Sequence, residues 1–368
     1  MKIKIIPLIL FSGAHFVYAS ECSNIDQYAK ELMLQQKITG MSIAIVNKNV
    51  TEYCNYGYTN KDQKVPISNK SIFEIASITK TFTALLAGIA VSEGKLDLEV
   101  PITQYIPELA KNKTYLAINN QELLTHVSGL PLGFDDDYTE KGLINSAVNY
   151  KFTSTPGSFY RYSNPGITFS GIALSRIYRL DYPSLLNKFI LIPLNMQYTA
   201  LDVSSKNQAL SVTGYNKNDQ AVGFMDIGIE NPAGGLKSNT YDLAKYLKLQ
   251  IKSESSQFTT ALKIVHRNYY CLSKNGVYQQ LAWEYHPNSE LSEIYFPDSK
   301  HRNILAPHAL VSGCSKNLDG FLEKTGNSVG MTSYIGYIPT KQFGVVILAN
   351  SALKPSIVRL GRYVLQRD

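Results

Sequence analysis

Residues Phe73–Phe82 read FEIASITKTF, a polar break that runs directly into an apolar pattern. Phe82, Leu85, Leu86 and Ile89 recur at helical spacing and predict a buried helix that stops near Gly94, with Ser77 at its N-terminus. On a helix, positions three apart are neighbours, so Ser77 and Lys80 face each other about 5–6 Å apart at Cβ. A neutral lysine so placed takes the serine's proton and makes the hydroxyl a nucleophile. The plain alternative is a solvated helix start with a chance Ser and Lys. A second Ser-x-x-Lys, Ser92 to Lys95, contains Gly94 and spans the helix end, so its lysine has no fixed position.

Outward from this helix, Ile25, Ala29, Leu32 and Met33 predict an earlier helix, followed by two strands, MSIAIVN and YCNYGYT. The middle mixes Pro/Gly breaks such as STPGSF and NPAGGL with helical patterns such as ITFSGIALSRIYRL. Strands return at TSYIGYIP and FGVVILAN, and Ile357, Leu360 and Val364 share one face of a closing helix. This order predicts an α+β fold. One α/β sandwich lobe, an antiparallel sheet flanked by helices, is built from both chain ends, about 20–75 and 240–368, with an all-helical lobe, about 76–239, inserted between them.

A chain of 368 residues with 44% hydrophobic and 18% charged content is too apolar for disorder. Beyond the start it lacks any long apolar run of the kind that spans membranes. Residues 1–19 carry Lys2 and Lys4, an apolar run and small residues around Ala19, which predicts a secretory signal cleaved after Ala19 and a periplasmic product. Glu21 before Cys22 argues against a lipid anchor. Loss of Lys2 and Lys4 lowers the formal charge from +7 to +5, with no basic block to bind nucleic acid. The mild excess favours anionic substrates. Cys22, Cys54, Cys271 and Cys314 invite disulfides, and pairing within each half of the chain joins Cys22 to Cys54 and Cys271 to Cys314, with free thiols as the alternative. The histidines lack metal-ligand spacing, so neither a metal nor another cofactor is expected. A monomer is expected.

Tyr162-Ser-Asn164 lies in a Pro/Gly-flanked loop, and Lys324-Thr325-Gly326 occurs once. Alone, each is weak: a turn asparagine and an edge-strand lysine account for them. Together with Ser77 and Lys80, in this order, they resemble the serine β-lactamase and penicillin-binding superfamily, specifically the class C β-lactamases. Related enzymes pair Ser-x-x-Lys and Lys-Thr-Gly with Ser-Asp-Asn; tyrosine in that slot points to class C and its carboxypeptidase relatives. The likeness covers nearly all of the chain after residue 19. It runs through FEIASITKTFTALLAGIAVSEGKLDLEVPITQYIPEL, LLTHVSGLPL, PGSFYRYSNPG, VYQQLAWEY (similar to a late strand) and EKTGNSVGMTSYIGYIPTKQFGVVILANS.

The resemblance implies a β-lactamase/transpeptidase-like fold and hydrolysis of penicillins or cephalosporins through an acyl-enzyme on Ser77. Lys80 and Tyr162 are the two candidate bases. Asn164 then bonds the substrate amide while fixing Lys80, Lys324 and Thr325 hold its carboxylate, and Gly326 lets the strand backbone approach. The N–H groups of Ser77 and Asn327 form the oxyanion hole. Departures are Gly133 for a glutamine, Gly234 for a tyrosine that walls the site, and Ser356 for an asparagine near the carboxylate pocket, with Arg359 keeping an arginine. Two rivals use the same residues: a D-alanyl-D-alanine carboxypeptidase or esterase, and a slowly deacylating penicillin-binding sensor.

Overall fold

Gly40–Asn47 and Phe343–Ala349 are apolar at nearly every position because both faces of these strands are covered. They pair antiparallel with Ile43 opposite Ile347 and Ile45 opposite Val345. In the computed structural model, which describes residues 20–135, 138–252, 257–288, 308–314, 319–352 and 354–367, they lie inside an eight-stranded antiparallel sheet. From one edge the order is Val50–Gly57, Gly40–Asn47, Phe343–Ala349, Thr332–Ile338, Gly320–Asn327, Glu284–Pro287, Val277–Gln279 and Tyr270–Ser273. The first strands of the chain therefore sit beside the last. The segment expected to be a signal, residues 1–19, lies outside the described residues.

Alternate side chains serve opposite faces. Ile43, Ile45, Val345 and Ile347 meet Ile25, Ala29 and Leu32 of helix Glu21–Gln36 and Ile357, Leu360 and Val364 of helix Pro355–Gln366. Ala44, Val46, Val346 and Leu348 face the other way, onto Leu243 and Leu247 of helix Thr240–Ile251 and through them onto helix Thr79–Ser92. Phe82 stacks on Tyr246 with centroids 4.0 Å apart, tying the Thr79–Ser92 helix to the layer beneath the sheet. A separate apolar cluster, including Ile102, Leu109, Tyr115, Leu143 and Phe169, holds the helical segments together.

Cys22 is joined to Cys54 and Cys271 to Cys314, the pairing within halves. The first ties the opening helix to the sheet's edge strand. Helix Thr79–Ser92 ends as expected just before Gly94, whose φ of 68° is the left-handed turn that glycine takes readily. One expectation needs correction. VYQQLAWEY is not one strand but two, Val277–Gln279 and Glu284–Pro287, which pair antiparallel across a turn. Gln280 N–H closes the turn on the Trp283 carbonyl, and two further donors are satisfied far away, Leu281 N–H on the Val265 carbonyl and Ala282 N–H on the Leu124 carbonyl.

Candidate active site

Ser77 sits in a 3₁₀ turn, Ala76–Ile78, at the mouth of helix Thr79–Ser92. Ala76 has φ of 44°, a backbone region that non-glycine residues rarely adopt, and the chain turns there to present Ser77. The turn is pinned from both sides. Ile75 N–H donates to the Leu236 carbonyl at 3.0 Å, and Ser333 Oγ donates to the Ile75 carbonyl at 2.8 Å. Strained backbone persists where neighbours hold it this firmly.

Lys80 lies one helical turn beyond Ser77 and is fully buried. Its Nζ donates to Ser77 Oγ at 3.0 Å, to Asn164 Oδ1 at 2.8 Å and to the Ala233 carbonyl at 2.7 Å. Three acceptors match the three hydrogens of an ammonium. Burial lowers the Lys80 pKa, with Lys324 adding to the fall and Tyr162 opposing it. Asn164 is held at the start of helix Asn164–Tyr178, where Ser163 Oγ accepts from Gly166 N–H at 3.1 Å. The segment NPAGGL is fastened to the nucleophile-bearing helix by Lys80 on Ala233, by Thr83 Oγ1 on the Pro232 carbonyl at 2.7 Å and by Leu236 N–H on Thr79 Oγ1 at 3.2 Å.

Tyr162 is buried between two cations: Lys80 Nζ is 4.9 Å and Lys324 Nζ 4.7 Å from its ring centre. Burial pushes the phenol up, but Lys324, Lys80 and hydrogen bonds with Ser77 and Lys80 outweigh it, leaving a pKa of about 8. Lys324, Thr325 and Gly326 lie along strand Gly320–Asn327, which runs past the Ser77 turn. A Cβ at Gly326 would stand 2.3 Å from the Ile75 carbonyl oxygen, so only glycine lets the strand come this close. Asn327 ends that strand and lines the same cavity, of about 210 Å³, as Ser77 and Asn164.

The cavity also contains residues that carried no motif: Tyr138, Met225, Ile227 and Glu230. A Cβ at Gly234 would meet Ile227 Cδ1 at 3.4 Å, so the isoleucine occupies the wall opposite a glycine that offers none. Gly133 is exposed with open space around it. Ser356 is buried in the first turn of the last helix, and Arg359 is exposed on it. There Arg359 partly offsets the rise that burial imposes on Tyr28 of the first helix. A larger cavity of about 450 Å³, lined by Tyr198, Asp202 and Lys206, shares no residue with the Ser77 cavity.

A beta-lactamase family model matches residues 25–367. The chain belongs to the beta-lactamase family. A beta-lactamase of Pseudomonas fluorescens is 32% identical over 89% of this chain and 92% of its own length. One from Escherichia coli (strain K12) is 28% identical over 87% of this chain and 86% of its own. Among solved structures, a class C beta-lactamase in complex with cefoxitin superposes with a TM-score of 0.83 at 25% identity, covering 94% of this chain and 98% of that one. A beta-lactamase/D-alanine carboxypeptidase from Pseudomonas syringae reaches 0.85 at 27% identity, covering 95% of this chain and 99% of that one. The α+β fold is thus the beta-lactamase fold, and this beta-lactamase family member is a hydrolase of the class C type. No helix among the described residues is long and apolar enough to cross a membrane.

Proposed function

We propose that this chain hydrolyses the amide of penicillins and cephalosporins through a covalent acyl-enzyme on Ser77. The observation that carries the reading is the position of Ser77 Oγ, 3.0 Å from an Nζ that is itself bound to Asn164 and Ala233, beside a phenol depressed to about 8. Lys80, with three acceptors, acts as the fixed cation. Tyr162, as phenolate, takes the Ser77 proton while Oγ bonds to the lactam carbonyl carbon. Lys80 and Tyr162 each shift the other, so the proton belongs to the pair rather than to one atom.

The oxyanion then lies on the N–H groups of Ser77 and Asn327, donors of a kind often worth roughly 10²–10³ in rate. As the carbon–nitrogen bond breaks, the proton passes from Tyr162 to the leaving nitrogen. A water then attacks the ester, its proton going to Tyr162 and the ester oxygen regaining one as Ser77 is released. Asn164 orients the substrate amide. Lys324 and Thr325 receive its carboxylate.

Residues 1–19 support export to the periplasm, where such an activity protects its host from these antibiotics. The Pseudomonas syringae likeness and the bare Gly234 favour one alternative, a D-alanyl-D-alanine carboxypeptidase. The purified protein mixed with a chromogenic cephalosporin separates the readings. Many turnovers per enzyme support the β-lactamase. One stoichiometric burst, or release of D-alanine from acyl-D-Ala-D-Ala with no cephalosporin turnover, overturns it.

A further inference from the structure

His126 holds three consecutive residues of the tyrosine loop. Its backbone carbonyl accepts from Arg161 N–H at 2.7 Å. Its ring stacks on Tyr162 with centroids 4.1 Å apart and planes inclined by 29°. Its Nδ1 accepts from Ser163 N–H at 3.2 Å. Tyr160 meets the imidazole edge-on at 5.9 Å, and the whole side chain is buried.

His126 itself follows the helix Asn120–Leu124 with φ of 61°, a left-handed conformation that a branched or bulky side chain keeps only when its surroundings hold it. Because Nδ1 accepts, the neutral ring carries its proton on Nε2. That buried nitrogen has no hydrogen-bond partner among the described residues. A residue serving packing alone has no use for such a polar atom, which is costly to bury.

We propose that His126 is a positioning residue for the reaction: as a neutral imidazole it fixes the ring of Tyr162 beside Ser77, between Lys80 and Lys324. The proposal rests on the role assigned to Tyr162 above. The attraction of a phenolate to each cation falls with distance, by about a fifth when a 4 Å separation becomes 5 Å. A ring free to rock by that amount loses depression of its pKa from both lysines together.

The charges facing His126 are Lys324 and Lys80, which oppose its protonation, and Glu284, which favours it; Tyr160 and Tyr162 are its aromatic neighbours. Burial, reinforced by the two lysines, holds the imidazole well below its usual range. The ring therefore stays neutral across the working pH, and the acid limb of the rate profile belongs to Tyr162.

The test compares wild type, His126→Asn and His126→Phe in the purified protein, with kcat and KM for a chromogenic cephalosporin followed from pH 5 to 10. Active sites are counted by mass spectrometry after acylation. Asparagine tolerates the left-handed backbone but removes the stacked ring; phenylalanine keeps the ring and removes the acceptor. The expected result is an acid limb near 8 in wild type, moved up by about one unit in His126→Asn. Its kcat at pH 7 falls about tenfold per active site while KM changes less than threefold. His126→Phe should keep the limb closer to wild type.

An unmoved limb and unchanged kcat per active site in His126→Asn would leave His126 a packing residue and overturn the proposal. Should that variant fail to fold, nitrogen NMR of the wild-type histidine decides: a neutral Nε2–H tautomer from pH 5 to 9 is required, and a ring that titrates in that window overturns it. Tyr162→Phe keeps the two claims apart. If it leaves the limb in place, the role assigned to Tyr162 has failed; if it abolishes the limb while His126→Asn does not move it, only the His126 claim has.

Discussion

Lys324 Nζ lies 4.7 Å from the ring centre of Tyr162, although the two residues belong to a late strand and a mid-chain loop. Lys324 is the strongest influence lowering the phenol, ahead of Lys80. Tyr162 loses its proton on ionising, so a depressed pKa means that the reactive phenolate is gained as pH rises. At a pKa of about 8, roughly one molecule in ten carries it at pH 7. kcat/KM should therefore rise with unit slope to about pH 8 and then level.

Removing Lys324 should move that limb upward. Lys324→Ala is expected to raise it by one unit or more, each unit being about 1.4 kcal/mol, and to raise KM for substrates with a carboxylate. Tyr162→Phe should lower kcat roughly 10²–10⁴-fold, the usual worth of a positioned acid–base group. Stopped-flow acylation with a chromogenic cephalosporin across pH reads both.

Gly326→Ala tests the approach of the strand to the Ser77 turn. The added Cβ would clash with the Ile75 carbonyl and with Ser333 Oγ, each 2.3 Å away. Overpacking of this kind costs about 1–3 kcal/mol. A displacement of about 1 Å at reacting groups costs on the order of 10²-fold in rate. Calorimetry should show Tm lower by several degrees, and turnover should fall more than stability alone accounts for.

Glu323 neighbours Lys324 along the strand but faces the opposite side of the sheet. Its carboxylate accepts from Arg362 Nε at 3.0 Å and from Tyr334 Oη at 2.9 Å. Burial raises this carboxyl, but the Arg362 charge, the neighbouring His286 and the hydrogen bond from Arg362 together outweigh it, and the pKa ends lowered. A lowered carboxyl stabilises the fold above its unfolded value of about 4.3, and that stabilisation is lost as pH falls through the folded value. Glu323→Ala leaves Arg362 buried opposite an apolar group and should cost about 3–5 kcal/mol in urea unfolding at pH 7. Glu323→Gln should flatten the loss of stability below pH 4.5.

Much of the sheet was legible because its central strands are covered on both faces, so MSIAIVN and FGVVILAN are apolar at nearly every position. The turn inside VYQQLAWEY was not. It contains no Gly or Pro, Ala282 takes φ of 58°, and two of its donors bond to Val265 and Leu124 carbonyls that only the fold brings near. In the site, Ser77 and Lys80 stood out by their helical spacing, whereas Tyr162 and Asn164, weak signals alone, stood out only in combination with them and through the family resemblance. Met225, Ile227 and Tyr138 were not, since their place in the cavity comes from long-range packing. His126 stood in a stretch, LLTHVSGLPL, that was read for its helix and turn; the signal was a lone histidine in a largely apolar stretch, which is usually a core residue.

The most direct test of the nucleophile is Ser77→Ala in the purified protein. Steady-state hydrolysis of a chromogenic cephalosporin should fall by roughly 10⁴-fold or more. Peptide mass mapping after a short reaction should place the acyl group on Ser77 in wild type and nowhere in the variant. Undiminished hydrolysis by Ser77→Ala, or an acyl group mapped to another residue in wild type, would contradict the account.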